Sequence, residues 1–258
     1  MSLDRRTALV CGASKGIGRA TAQALAAAGA KVLLLARSTD LLEALREEIR
    51  ASGGRADVVV ADLDDREGLA GMARGLVAAH GPVHILVNNS AGPPGGPLLA
   101  ATPDALLVAF GRHVLAAHLL VQAFLPGMTE AGYGRVINVI STSVREPIPN
   151  LGVSNTIRGA MASWAKSLSR ELPPGVTINN VLPGFTDTER LASLGEKRAA
   201  REGTSPEDVH RAWLAQVPER RLAQPQETAA AIAFLSSPAA AYIRGVSLPV
   251  DGGRLRSI

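Results

Sequence analysis

Three glycines and two cations give this chain its first chemical signature. In "CGASKGIG", Gly12, Gly16 and Gly18 follow an apolar run and open a helical pattern, with Lys15 between them. Glycine lets the backbone turn tightly and approach a bulky anion, and the free N–H groups of a helix's first turn face that anion. A pyrophosphate fits such a loop, although a strand-to-helix turn without a ligand would produce the same pattern. Arg37 stands just past the second apolar run in "LLLARS", where a carboxylate would take the ribose hydroxyls of NAD. A guanidinium suits a 2′-phosphate instead, so the pattern favours NADP(H) over NAD(H) unless Arg37 is an ordinary surface arginine. Asp62, after the third run, is placed to hold an adenine amino group or to cap the following helix.

The elements that position these residues alternate along the chain. "TALVC", "KVLLLA", "ADVVVA" and "VHILVN" are each followed by a helical pattern, at Gly16–Ala28, Thr39–Ala51, Asp65–Ala79 and Pro103–Leu125. In the second half, "RVINVIS" precedes a helix at Ser154–Leu172. "VTINNVL" precedes a long charged helical region, a helix at Pro225–Leu235 and a last strand, "GVSLPV". Strands that are apolar throughout and separated by helices predict a parallel sheet covered on both faces, a doubly wound α/β domain. "TPDA" at Thr102 and "SPED" at Ser205 each offer a hydroxyl N-cap followed by proline at the first helical position. "AGPPGGPLL" reads as a loop at a strand end, where such a sheet places its ligand-facing segments.

Composition narrows the function. The chain has 258 residues, 47% hydrophobic and 19% charged, enough for one sizeable core and a single domain over 1–258. No run approaches the apolar length needed to cross a bilayer, and charges in "MSLDRRTALV" occupy the place of a signal peptide's apolar segment, so the expectation is a soluble, cytoplasmic protein. The single cysteine, Cys11, excludes an internal disulfide and a thiolate zinc cluster, and no metal is expected. Redox chemistry would need a borrowed cofactor. The pI is about 9.7, but the net charge is only +4. Asp187 to Arg221 balances seven acids against seven Lys and Arg, a solvated helical surface rather than a stripe for nucleic acid.

The order of "GASKGIG", "ADLDD", "NNSAG", "RVINVIS", "INNVLPGFTDT", "RLAQPQETAAAIAFLSS" and "VDGG" resembles the short-chain dehydrogenase/reductase family over nearly the whole chain. Within it the chain looks most like the 3-oxoacyl-carrier-protein reductase group, in a branch with an altered active site. Ser90 is an extra residue that splits the usual Asn-Asn-Ala-Gly run. The resemblance implies a Rossmann-type domain with a mainly seven-stranded parallel sheet, an NADP(H) cofactor, a ketone or secondary alcohol as substrate, and a homotetramer or dimer joined through long helices. It implies cofactor contacts from Gly12, Ser14, Lys15, Gly16, Ile17, Gly18, Arg37, Asp62, Leu63, Asn89, Ala91, Gly92 and Arg158. Pro183, Gly184, Thr186 and Thr188 would lie against the nicotinamide carboxamide. A helical substrate lid is expected at about 187–217.

At its catalytic centre the family places a serine, a tyrosine thirteen positions later, a lysine four after that, and an asparagine on the preceding long helix. The same spacing here gives Ser141, Ser154, Arg158 and His113. A phenol near a lysine can protonate the alkoxide that hydride transfer leaves, whereas a serine hydroxyl is far less acidic. Arg158 stays charged and can bind ribose hydroxyls, yet it does not relay a proton as lysine does. His113, which titrates near neutral pH when unperturbed, is a candidate donor, directly or through water. Its alternative is a histidine satisfied by a neighbouring backbone group in the helix core. Two functions therefore stand: an NADP(H)-dependent oxidoreductase with atypical catalytic residues, or an NADP(H)-binding member with a structural or sensing role.

Overall fold

The computed structural model describes residues 2–257. Its seven strands are β1 (Thr7–Cys11), β2 (Lys31–Ala36), β3 (Arg55–Val60), β4 (Ile85–Asn88), β5 (Gly134–Val139), β6 (Val176–Pro183) and β7 (Ser247–Val250). All pair in parallel in one sheet, in the order β3-β2-β1-β4-β5-β6-β7. The helices are α1 (Gly16–Ala27), α2 (Thr39–Ala51), α3 (Arg66–His80), α4 (Pro103–Phe110), α5 (Ala116–Glu130), α6 (Gly152–Glu171), α7 (Glu189–Glu202), α8 (Pro206–Leu214) and α9 (Pro225–Ser236).

The apolar runs are continuous because both faces of the sheet are covered. Ala8, Val10, Val32 and Leu34 pack with Ala22, Leu25, Leu42, Leu45 and Ile232 of α1, α2 and α9. The alternate residues Leu9, Cys11, Leu33, Leu35 and Leu86 pack with Leu76, Leu120, Phe124 and Ala165 of α3, α5 and α6. Strand order reverses between β1 and β4, so the loops leaving those two strands diverge to opposite faces and open a crevice at their carboxyl ends. Gly12 and Asn89 stand at that crevice.

Both expected caps form. Ala105 N donates to Thr102 Oγ1 at 3.2 Å and Asp208 N to Ser205 Oγ at 3.1 Å. The helix expected at Pro103–Leu125 runs on past Pro126 to Glu130, and a π-helical turn at Gly111–Leu115 joins α4 to α5. That turn points His113 and Val114 inward. The expectation about apolar length is corrected here: residues 103–130 form a 28-residue helix whose best window has mean hydropathy 1.5, enough by length and composition to span a membrane. In this fold Leu120, Val121 and Phe124 of that helix are core residues against the sheet. The charged region after β6 is two helices, α7 and α8, broken at Gly203, whose φ of 64° ends α7 in the left-handed conformation.

Candidate active site

A cleft of about 1030 Å³ runs along the carboxyl edge of the sheet. Gly12, Ser14, Lys15, Gly16 and Ile17 form one wall; Asn89, Ala91 and Gly92 the floor; and Ser141, Ser154 and Arg158 line it farther along. Pro183, Gly184, Thr186 and Thr188 complete it from β6 and the start of α7. Of the residues singled out from sequence, fifteen therefore share one cleft, while Gly18, Arg37, Asp62, Leu63 and His113 lie off it.

The glycine loop has the shape a dinucleotide requires. Gly12 and Gly16 have φ of 62° and 53°, and a Cβ on Gly12 would lie 2.7 Å from Asn89 Nδ2. Gly18, although outside the cleft, cannot carry a side chain either, since its Cβ would lie 2.1 Å from the Gly12 carbonyl oxygen. Asn89 braces the turn by donating to the Cys11 and Gly12 carbonyls at 3.3 and 3.4 Å. Helix α1 has no side-chain cap and no acid in its first turn, so its N–H groups and positive dipole end are left for an anion. These residues fit the diphosphate of a nicotinamide dinucleotide. Lys15 is turned toward α7, with Nζ 2.7 Å from Glu189 Oε2.

Past β2 and β3, Arg37 is exposed and pairs with Asp62 at 3.5 Å, where an adenosine 2′-phosphate would be met. Asp62 does not cap α3. Its Oδ1 accepts from Asp64 N at 3.0 Å, and the cap is Asp65, which accepts from Gly68 N at 2.9 Å. Leu63 lines a second, water-sized cavity beneath the cleft, shared with Ser90, His113 and Arg158.

Beneath the candidate catalytic positions runs an amide ladder that sequence reading did not find. Asn88 Nδ2 donates to Asn138 Oδ1 at 2.9 Å, Asn138 Nδ2 to Asn180 Oδ1 at 2.9 Å, and Asn180 Nδ2 to Ser247 Oγ at 3.1 Å. The four residues are in register across β4, β5, β6 and β7, just below the strand ends that lead to Ser90, Ser141 and Gly184. An asparagine near the end of three successive apolar runs is the signal that would have shown it. Ser141 accepts from Ser143 N at 3.0 Å and caps a 3-10 turn. Ser154 and Arg158, four apart on α6, share the face turned to the cleft.

Arg158 is buried. It donates to the Val139 carbonyl at 2.8 Å and the Ser90 carbonyl at 3.4 Å, and desolvation, then repulsion from Arg190, lowers its pKa to about 10. It remains charged at neutral pH. His113 is corrected as a proton donor. Burial, followed by the charges of Arg158 and Arg112, lowers its pKa to about 2, so the ring is neutral near pH 7. One nitrogen, Nδ1, lies 2.6 Å from Ser90 Oγ, and Nε2 is buried with no partner among the described residues. The ring's neighbours are thus the Ser90 hydroxyl, from the extra residue of "NNSAG", and the backbone of Ala91. No histidine or tyrosine lines the main cleft among the described residues.

The remaining site residue that sequence reading missed is Arg190. Exposed at the start of α7, it lines the cleft and donates to the Pro93 carbonyl at 2.7 Å. It was hidden in a balanced charge run. Thr188 caps α7, accepting from Leu191 N at 3.3 Å, and donates to the Thr186 carbonyl at the same distance.

A parallel seven-stranded sheet with a glycine cradle at its switch point defines a Rossmann-type, dinucleotide-binding fold. A family model described as enoyl-(acyl carrier protein) reductase matches residues 12–254, and the chain belongs to the short-chain dehydrogenase/reductase family. It is an NADP-dependent oxidoreductase of the ketoreductase type. An uncharacterized oxidoreductase of Mycobacterium tuberculosis is 38% identical over 255 residues, covering 97% of this chain and 92% of that one. The 3-oxoacyl-[acyl-carrier-protein] reductase FabG of Pseudomonas aeruginosa is 33% identical over 260 residues and is matched along the full length of both. Among solved structures, YwfH, an NADPH-dependent reductase involved in bacilysin biosynthesis, superposes with a TM-score of 0.94 at 28% identity, covering 99% of this chain and 100% of that one.

Proposed function

We propose that the cleft reduces a small-molecule ketone to a secondary alcohol with NADPH, a 3-oxoacyl thioester or related carbonyl compound being the substrate class suggested by the FabG relative. The observation that carries this reading is the convergence, in one cleft, of the uncapped α1 N-terminus and glycine cradle with the Ser141 and Ser154 hydroxyls and the Arg158 guanidinium. When bound, NADPH supplies the hydride. Gly12, Ser14, Gly16 and Ile17 hold its diphosphate, Arg37 its 2′-phosphate, and Pro183, Gly184, Thr186 and Thr188 the carboxamide end. Ser141 and Ser154 hydrogen-bond the carbonyl oxygen, and the fixed positive charge of Arg158 stabilises negative charge as it develops there. Solvent water delivers the proton, because neither tyrosine nor histidine lines this wall.

Helices α7 and α8 serve as the lid. Leu191, Leu194 and Trp213 from them line the cleft, and the Lys15–Glu189 pair latches the start of α7 to the glycine loop. The exposed apolar side chains of Leu107, Val108 and Phe110 on α4 suit an interface between copies of this chain. Ser154 and Arg158, in place of a tyrosine and a lysine, favour one other reading: a member that binds NADP(H) but turns over little.

The test is NADPH oxidation with a panel of ketones and 3-oxoacyl thioesters, beside a Ser154→Tyr/Arg158→Lys double variant. Wild-type turnover that the double variant lowers is the expected result. A silent wild type that gains activity in the double variant would establish the binding-only reading.

A further inference from the structure

Two guanidinium groups converge on one wall of the cleft without a carboxylate between them. Arg158 reaches it from α6 and is tied only to the neutral carbonyls of Val139 and Ser90. Arg190 reaches it from α7 and is tied to the neutral carbonyl of Pro93. Both point at Gly92: the place a Cβ would take there lies 3.5 Å from Arg190 Nη2 and 4.0 Å from Arg158 Nη2. Of the other cations lining the cleft, Arg19 pairs with Glu48, while Lys197 is exposed and makes no ion pair among the described residues. Lys15 pairs with Glu189, Arg201 and Arg198 pair with Glu202, and Arg254 lies over the Phe185 ring.

Arg158 is buried and Arg190 stands exposed beside it, so the charge drawn out of water is raised further by a like charge, and neutral carbonyls do not cancel it. Both guanidinium pKa values are lowered by desolvation, and that of Arg158 also by Arg190, with no acid to oppose the shift. Each group keeps N–H donors that its one or two carbonyl bonds do not use. What the wall lacks is an anion of two oxygens, small enough to sit over Gly92.

We propose that Arg158 and Arg190 seat the carboxylate of an oxo-acid substrate, one oxygen toward each guanidinium, making the enzyme selective for ketones that carry a carboxylate close to the reacting carbon. The proposal rests on the ketone-reductase reading above and names its substrate class. Arg158 lies one helical turn beyond Ser154 on the same face of α6, which seats the carboxylate beside the carbonyl that Ser154 faces. A cofactor phosphate offers the same anionic chemistry, but the glycine cradle and the free α1 N-terminus already provide its seat on another wall.

The experiment is calorimetric titration of 2-oxooctanoate and its methyl ester into NADP+-loaded protein, wild type, Arg190→Gln and Arg190→Lys, with NADPH affinity measured separately. The acid is expected to bind about 30-fold tighter than the ester in the wild type, the scale of a lost charge-assisted hydrogen bond. Arg190→Gln should abolish most of that ratio and Arg190→Lys restore part of it, while NADPH affinity shifts by less than about threefold. Equal binding of acid and ester by the wild type overturns the proposal. So does a loss of NADPH affinity in Arg190→Gln as large as the loss for the acid, which would give the seat to the cofactor. Ketone turnover separates the two readings. Tight acid binding with no turnover of any ketone leaves the seat standing and sinks the reductase reading; turnover with no preference for acids does the reverse.

Discussion

Replacing Asn138 by alanine tests whether the amide ladder holds the catalytic edge of the sheet together. Asn138 is fully buried, accepts from Asn88 and donates to Asn180. Its removal leaves a donor on Asn88 and an acceptor on Asn180 without partners, and each unsatisfied buried group costs about 1–3 kcal/mol. The sum, about 2–6 kcal/mol, is a large share of the roughly 5–15 kcal/mol that holds a domain folded. For a chain of this size each kcal/mol moves Tm by about 2–4 °C, so Asn138→Ala should melt about 5–20 °C below wild type. Asn88→Ala, at the end of the ladder, orphans only the Asn138 acceptor and should cost about half as much. The assay is thermal unfolding by circular dichroism, with the KM for NADPH measured on the same samples. KM should rise too, because β4, β5 and β6 feed the loops of Asn89, Ser141 and Gly184. A melting point within about 2 °C of wild type, or a loss no larger than that of Asn88→Ala, would refute the reasoning.

Three further outcomes follow. Gly18→Ala places a Cβ 2.1 Å from the Gly12 oxygen, and the displaced loop should weaken NADPH binding by at least about tenfold, read by fluorescence titration. Arg37→Ala should lower the preference for NADPH over NADH by about 10- to 100-fold in kcat/KM, since the exposed guanidinium is the charge that would meet the 2′-phosphate. His113 is neutral in the fold down to a pKa of about 2 but protonates near 6.5 when unfolded, so the unfolded chain binds the extra proton between those values. Its contribution therefore falls as pH drops below 6.5, by up to about 1.4 kcal/mol per pH unit. Urea unfolding of His113→Gln between pH 7 and 5 should show a shallower loss than wild type, with ketone turnover at pH 7 kept to within about threefold; a large loss of turnover would reinstate the ring as a proton donor.

The doubly wound fold was legible because its strands are buried on both faces, which writes continuous apolar runs, and because helices between them keep caps such as Thr102 and Ser205. The glycine loop was legible for a related reason: positive φ and close backbone approach exclude other residues at Gly12 and Gly16. Ser141, Ser154 and Arg158 were legible only through the family resemblance, whose spacing carries over because the first follows a strand end and the other two share a helix face.

The charge state of His113 was not legible. It depends on burial behind a π-helical turn and on Arg158 and Arg112, which approach from α6 and from the adjacent residue of the turn itself. Nor was the meeting of Arg158 with Arg190, thirty-two positions apart and on different helices, or the hydrogen-bonded row from Asn88 to Ser247. By itself, then, the sequence determined which elements form and which residues lie at their ends, because periodicity, caps and glycine conformations are local properties. Only the tertiary structure decided which of those ends share a cleft, which charges go unmatched and which ring loses its proton, because desolvation and Coulomb interactions depend on distances across the sheet that no local pattern encodes.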